Sequence, residues 1–287
     1  MRRPYIDWLR GFAVLTMIEW HVLDAWSVRS GRESLTWTAI QVIGGFAAPL
    51  FLFLAGVAVP MAIRAQEKRG VAVSAAAWSV QKRGWEIFGI AHLFRLQSFL
   101  LNPNATWSSL FRPDILNILG LSLAGTAWLC GKAMRSGRRL WWLLVPAILI
   151  VGFTPTSRVW WWPTLLLPRI EAYIRPVGNL GVFQILPWAA FVPLGAICGL
   201  LLAGATDDGA ERRVLGRFGA AGLALTAAGA AGFWIENGKL TYPVSEVTIA
   251  GNLKTMYREL TPASDLVFRY GTDAPTLRVD GMTIAGA

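Results

Sequence analysis

Arg10 and His21 face the same way in an apolar run, Tyr5-Ile-Asp-Trp-Leu-Arg-Gly-Phe-Ala-Val-Leu-Thr-Met-Ile-Glu-Trp-His21. On a helix, the eleven steps from one to the other, at about 100° each, return His21 to within roughly 20° of Arg10. They also place it about 16 Å further along. Ionisable groups are costly within a membrane and point to function by default. His21 can accept a proton or act as a nucleophile, and Asp24 at i+3 is placed to orient its ring. A His–Asp pair that only stabilises helix packing is the plainer alternative. Arg10 carries a guanidinium suited to bidentate phosphate recognition. It also suits a basic flank that orients the first span. Asp7, at i−3, is placed to pair with it. Glu19 lies about 200° around from His21 and faces another neighbour.

A second group is Arg112, Asp114 and Asn117, at the start of a later apolar run. Asp114 there suits a helix N-terminus. Binding of a sugar hydroxyl by this group is the sharper alternative. His92 and Arg95 fall in a third run. His92 is the second of only two histidines in the chain. It ranks below His21, because Glu86 is six residues back and off its face. Gly44, Gly45 and Gly56 read as sites of close helix packing. Cys130 and Cys198 lie in separate apolar stretches and read as buried thiols. No P-loop, dinucleotide fingerprint, zinc spacing or Gly-x-Ser-x-Gly elbow occurs, so no metal site is expected.

The elements that must hold these residues are membrane helices. Of the 287 residues, 54% are hydrophobic and 15% charged. Soluble domains carry about 25% charged residues. About seven spans are expected, near 9–27, 39–63, 83–101, 115–131, 140–153, 183–203 and 217–232. Basic clusters gather on one side if the N-terminus is cytoplasmic. They are Arg2/Arg3/Arg10, Arg64/Lys68/Arg69/Lys82/Arg83, Lys132/Arg135/Arg138/Arg139 and Arg212/Arg213/Arg217. That asymmetry sets the expected topology. It also accounts for the net charge of +10 without nucleic acid. The Trp160-Trp-Trp-Pro163 run falls outside, where Trp anchors at the interface or stacks on sugars. No cleavable leader is expected, since Met1-Arg-Arg runs straight into the first apolar stretch.

Past residue 232 the chain turns polar and alternating. Lys239–Ala250, Asp265–Tyr270 and Thr276–Ile284 read as short strands, and Asn252–Leu260 as one short helix. The expected fold class is therefore an all-α polytopic membrane protein of about seven helices with a small β-rich C-terminal tail. The expected domains are 1–231 and 232–287.

Four stretches carry a resemblance. They are Ile6-Asp-Trp-Leu-Arg-Gly-Phe-Ala-Val-Leu-Thr-Met17 with His21, Phe46-Ala-Ala-Pro-Leu-Phe-Leu-Phe-Leu-Ala-Gly56, Phe111-Arg-Pro-Asp-Ile-Leu-Asn-Ile-Leu-Gly120 and Leu186-Pro-Trp-Ala-Ala-Phe-Val-Pro-Leu-Gly195. Residues up to about 231 resemble the heparan-alpha-glucosaminide N-acetyltransferase catalytic family and the wider acyltransferase-3-like group. The resemblance implies acyl transfer, with acetyl-CoA as the expected donor, from the cytoplasm to a carbohydrate or glycoconjugate acceptor at the far face of an inner membrane. It implies catalytic roles for His21 and Asp24, donor contacts for Arg10 and Asp7, and acceptor contacts for Arg112, Asp114 and Asn117. The base-catalysed and His-acylated routes stay open, as does a homo-oligomeric assembly. An inactive truncated or chimeric protein, or a small transporter using Arg10, His21 and Asp24, is the alternative; only the enzyme needs CoA.

The tail carries a different likeness. Gly232–Gly238, Tyr242–Leu253 and Ala274–Gly286 resemble the C-terminal end of TldD/PmbA-type proteins. No His-Glu-x-x-x-His motif accompanies it, and no His follows residue 92. A gene fusion, a frameshift or an assembly error would each produce such a junction. Pairing with a TldD-type partner by strand addition is the function this likeness would allow.

Overall fold

The computed structural model describes residues 3–26, 35–136, 140–177, 183–205, 207–228 and six short strands between 232 and 285. It divides into two units, Met1–Gly204 and Ala205–Ala287.

The first unit is helical. Its long helices are α1 (Pro4–Trp26), α2 (Leu35–Gly45), α3 (Ala47–Glu67), α4 (Val73–Leu101), α6 (Ile115–Arg135), α7 (Trp141–Val159) and α10 (Phe191–Gly204). Short helices α5 (Trp107–Leu110), α8 (Pro168–Ile174) and α9 (Ile185–Trp188) join them on the connections. Four segments are long and apolar enough to cross a membrane: Ile43–Glu67, Ile115–Arg135, Trp141–Val159 and Ile185–Gly204. The chain is a membrane protein. Its outward-facing side chains agree, with Trp85, Leu93, Phe94, Ile148 and Phe153 all exposed. Water would not tolerate so large an apolar surface on a monomer.

The remaining expected spans differ from these four in composition. The 9–27 segment is built as α1, which carries Asp7, Arg10, Glu19 and Asp24. The 83–101 segment begins ten residues earlier, as α4. Lys82 and Arg83 are therefore inside the helix, where a basic cluster at the membrane face was expected. Val73-Ser-Ala-Ala-Ala is rich in alanine, and the helix extends through it. The 39–63 segment is two helices meeting at Phe46, with Gly44 packed against Trp20. The short 140–153 segment reaches Val159, even though Pro146 and Pro155 lie inside it.

The interior is made by α3, α6 and α10, where Leu52, Val59, Ile63, Ile118, Val192 and Leu202 are buried. Two glycine crossings set the helix spacing. At α3–α10, a Cβ on Gly56 would collide with the Val192 carbonyl, and one on Gly195 with the Phe53 carbonyl. At α4–α6, a Cβ on Gly84 would lie 2.6 Å from Ala124 N, and one on Gly120 2.6 Å from Phe88 N. Small residues let backbones approach this closely in a membrane, where lipid supplies no hydrophobic drive between helices. The Gly56 reading made from sequence holds.

The α3–α4 turn is closed by Gly70 at φ 86°. Gly70 N–H donates to the Glu67 carbonyl at 2.9 Å, and Val71 N–H to the Gln66 carbonyl at 3.1 Å. This double cap needs a left-handed residue, which glycine adopts without a Cβ penalty. It brings Gln66 against Ser79, which exchange hydrogen bonds at 2.9 and 3.2 Å.

In the second unit, α11 spans Asp208–Ala228, nine residues earlier than the start expected for the 217–232 segment. Asp208 and Glu211 occupy its first turn, favourable at a helix N-terminus. Beyond it, β1 (Gly232–Glu236) pairs with β2 (Lys239–Val244), β3 (Thr248–Ala250) with β6 (Thr283–Ala285), and β4 (Leu260–Pro262) with β5 (Leu277–Val279), all antiparallel. Among the described residues no sheet exceeds two strands. The strand expected at Asp265–Tyr270 lies outside the described residues, as does all but the last residue of the helix expected at Asn252–Leu260.

Candidate functional site

Arg10 sits on α1, half-buried, with Asp7 Oδ1 3.7 Å from its Nη1. Both side chains are about 40% exposed, at 42% and 40%, so the pair is worth less than about 1 kcal/mol. The buried stripe of α1 runs through Ile6, Ala13 and Thr16. Arg10 and His21 both fall on one edge of that stripe, about 60° and 80° from Ala13. The guanidinium of Arg10 lines a cavity of about 560 Å³ between α1, α3 and α4. Arg83, Gln66, Ser79 and Glu86 also line it, over a floor of Ala55, Ala58 and Ala62. The Gly70 turn and the Gln66–Ser79 bonds therefore shape one wall. Among the described residues Arg83 has no ion pair, so its charge is available to a ligand.

His21 is exposed, and among the described residues it makes no hydrogen bond or ion pair. Asp24, also exposed, makes a contact elsewhere; no His21–Asp24 bond forms. The expected pairing of the two is an i+3 possibility that this arrangement does not use.

The second histidine is different. The glycine crossing of α4 and α6 sets their antiparallel register, so Phe88 meets Gly120, His92 meets Asn117 and Arg95 meets Asp114. His92 Nδ1 lies 2.9 Å from the Phe88 carbonyl and 3.2 Å from Asn117 Nδ2. Nδ1 either donates to the Phe88 carbonyl or accepts from Asn117 Nδ2, according to the ring's tautomer, and does not do both. Asn117 is only 1% exposed, and its Oδ1 accepts from Asp114 N–H at 3.0 Å. Asp114 Oδ1 accepts from Ile115 N–H at 2.7 Å, completing a capping box on α6. Asp114 Oδ2 takes the Arg95 guanidinium at 2.6 Å, with the side chains 21% and 31% exposed. Asp114 is thus the helix start read from sequence, and its side chain and that of Asn117 are committed to structure. Sequence reasoning missed the network because its partners are 19 and 25 residues apart. The available signals were Asp114-x-x-Asn117 at capping spacing and the glycines at 84 and 120.

Arg112 alone of the three expected acceptor residues lines a second cavity, of about 250 Å³, beside Arg95, Ser98, Asn102, Asn104 and Ser109. Arg83, ten residues into α4, and Ser98, in its last turn, lie about 22 Å apart along its axis. Nearby, burial raises the Tyr173 phenol above its usual pKa, and the Arg95 charge draws it partly back. Arg169 stacks over the Phe111 ring at 4.8 Å. Among the described residues no three of His, Cys, Asp and Glu converge to hold a metal ion.

Membrane helices thus carry a cationic cavity at Arg10 and Arg83 and an imidazole on the same edge of α1 as Arg10. Residues 2–227 match the heparan-alpha-glucosaminide N-acetyltransferase catalytic domain. The chain belongs to that family, and residues 223–286 match the PmbA/TldA metallopeptidase C-terminal domain. Over 59 residues, 20% of this chain, it is 51% identical to Metalloprotease PmbA of Escherichia coli O157:H7. Over the same length it is 44% identical to the Metalloprotease PmbA homolog of Haemophilus influenzae. The chain spans 13% of the length of each of these two relatives. No solved structure matches it.

Proposed function

We propose that the helical part, residues 1–231, transfers an acetyl group from cytoplasmic acetyl-CoA to a carbohydrate-like acceptor at the opposite face of the inner membrane. Residues 232–287 form a PmbA-like C-terminal fragment joined to it. The observation that carries this reading is the cavity of about 560 Å³ that brings together Arg10 and Arg83, the latter without an ion pair among the described residues. Two guanidiniums at a membrane face suit the phosphates of CoA. Asp7 Oδ1 lies 3.7 Å from one nitrogen of the Arg10 guanidinium. The thioester then extends along the Arg10–His21 edge of α1, a distance that a pantetheine arm spans.

His21 takes the proton from the acceptor amine or hydroxyl as that atom attacks the thioester carbonyl. The new N–C or O–C bond forms, the C–S bond breaks, and the departing thiolate receives a proton from the imidazolium. Asp24, one turn on, is engaged elsewhere in the described arrangement and reaches the ring only by turning toward it as the charge forms. In the variant of this route, the imidazole carries the acetyl group between two such steps.

The test is acetyl-CoA saturation kinetics on the purified chain in detergent. Arg83→Ala is expected to raise KM about 10- to 100-fold, with kcat within about threefold, since it removes ground-state binding. An unchanged KM in both Arg83→Ala and Arg10→Ala would sink this placement of the donor.

A further inference from the structure

The outer end of α4 holds a feature that the donor cavity does not explain. The cavity of about 250 Å³ is closed by the last turn of α4, the loop 102–106, α5 and Arg112. Its lining offers two guanidiniums, the hydroxyls of Ser98, Thr106 and Ser109, and the amides of Asn102 and Asn104. Among the described residues no carboxylate lines it. Asp114 stands behind Arg95 and takes its Nη2. Arg95 Nε is buried with no hydrogen-bond partner, a costly state unless a ligand meets it. Arg112 has no ion pair among the described residues.

We propose that this cavity selects the acceptor by a single carboxylate, on one sugar-sized ring. Three facts carry it. The cluster of Arg95, Arg112 and Asp114 bears one net positive charge, which matches a monoanion. A planar carboxylate accepts two parallel N–H bonds from a guanidinium fork, so Arg112 can hold it, with the Arg95 charge in the same lining. The volume lies just below the usual range for small-molecule sites, which begins near 300 Å³, so it holds one ring and excludes a charged polymer segment. The hydroxyls and amides around the two cations then meet the ring hydroxyls. This inference rests on the reading of the outer end of α4 as the acceptor side.

Calorimetric titration of the full chain in detergent, without acetyl-CoA, separates the two. The probes are methyl glucuronide, methyl glucoside and glucose 6-phosphate. Methyl glucuronide is expected to bind at least tenfold more tightly than either of the others. Arg112→Gln is expected to abolish that preference, and Arg112→Lys to keep part of it, because the charge stays and the fork is lost. Equal binding of glucuronide and glucoside, absence of glucuronide binding, or a preference that survives Arg112→Gln would each overturn the proposal. Tighter glucose 6-phosphate binding would overturn the carboxylate assignment. Selective glucuronide binding with no acetyl transfer would leave this site standing and count against the transferase reading alone.

Discussion

The two histidines of the chain sit in opposite surroundings. His92 is half-buried, held by Asn117 and the Phe88 carbonyl, with Asp114 and Arg95 one layer out. His21 is exposed on α1, with no hydrogen bond among the described residues. A ring whose Nδ1 contacts are built into a helix crossing has little freedom to turn toward a substrate. A ring with none is free to meet one. These surroundings are why the proposed function places its chemistry on His21 and not on His92, although the two lie about 16 and 14 Å along their helices from Arg10 and Arg83.

The strongest way to break this contrast is through the crossing itself. Gly120→Leu would drive a side chain into the α4 backbone at Phe88. A loss of about 3 kcal/mol or more is expected, read as a fall in the thermal midpoint in detergent. A variant as stable as wild type would mean that the crossing does not set the His92 register. Asn117→Ala comes next. It takes the acceptor from the Asp114 N–H and the amide from beside His92 Nδ1, with an expected cost of about 1–2 kcal/mol in the same assay. Asp114→Ala removes the cap and unpairs Arg95, with a cost of about 1 kcal/mol. If Asn117→Ala proves silent, the account of His92 as a structural group fails. The smallest effect is expected at Asp7→Ala, below about 0.5 kcal/mol, because its pair with Arg10 is exposed and long.

What sequence revealed and what it hid follow the same division. Four of the seven expected apolar spans, the Asp114 helix start and the close approach at Gly56 depend on neighbours within a few residues or on composition, and these are present in the fold. The likeness of the two parts of the chain to separate families was legible in the same way. Arg83 was read as the first residue of the 83–101 span, in a basic cluster at the membrane face, because charge near an apolar run looks like a boundary. In α4 the helix extends past it, and the side chain lines a cavity. The His92–Asn117–Asp114–Arg95 network was invisible because no periodicity links α4 to α6; only the glycine pair at 84 and 120 fixes their register. His21–Asp24 shows the reverse error: helical spacing makes that pair possible, and the described arrangement leaves it unmade.

The central claim is that this chain moves an acetyl group with His21 as its base. The most direct measurement is acetyl-CoA turnover by the purified chain in detergent with an amino-sugar acceptor, comparing wild type, His21→Ala and His92→Ala. The account predicts turnover in wild type and a loss of at least about 100-fold in His21→Ala at an unchanged thermal midpoint. It predicts retained turnover with a lowered midpoint in His92→Ala. Full turnover in His21→Ala, or none in a folded wild-type sample, would contradict it.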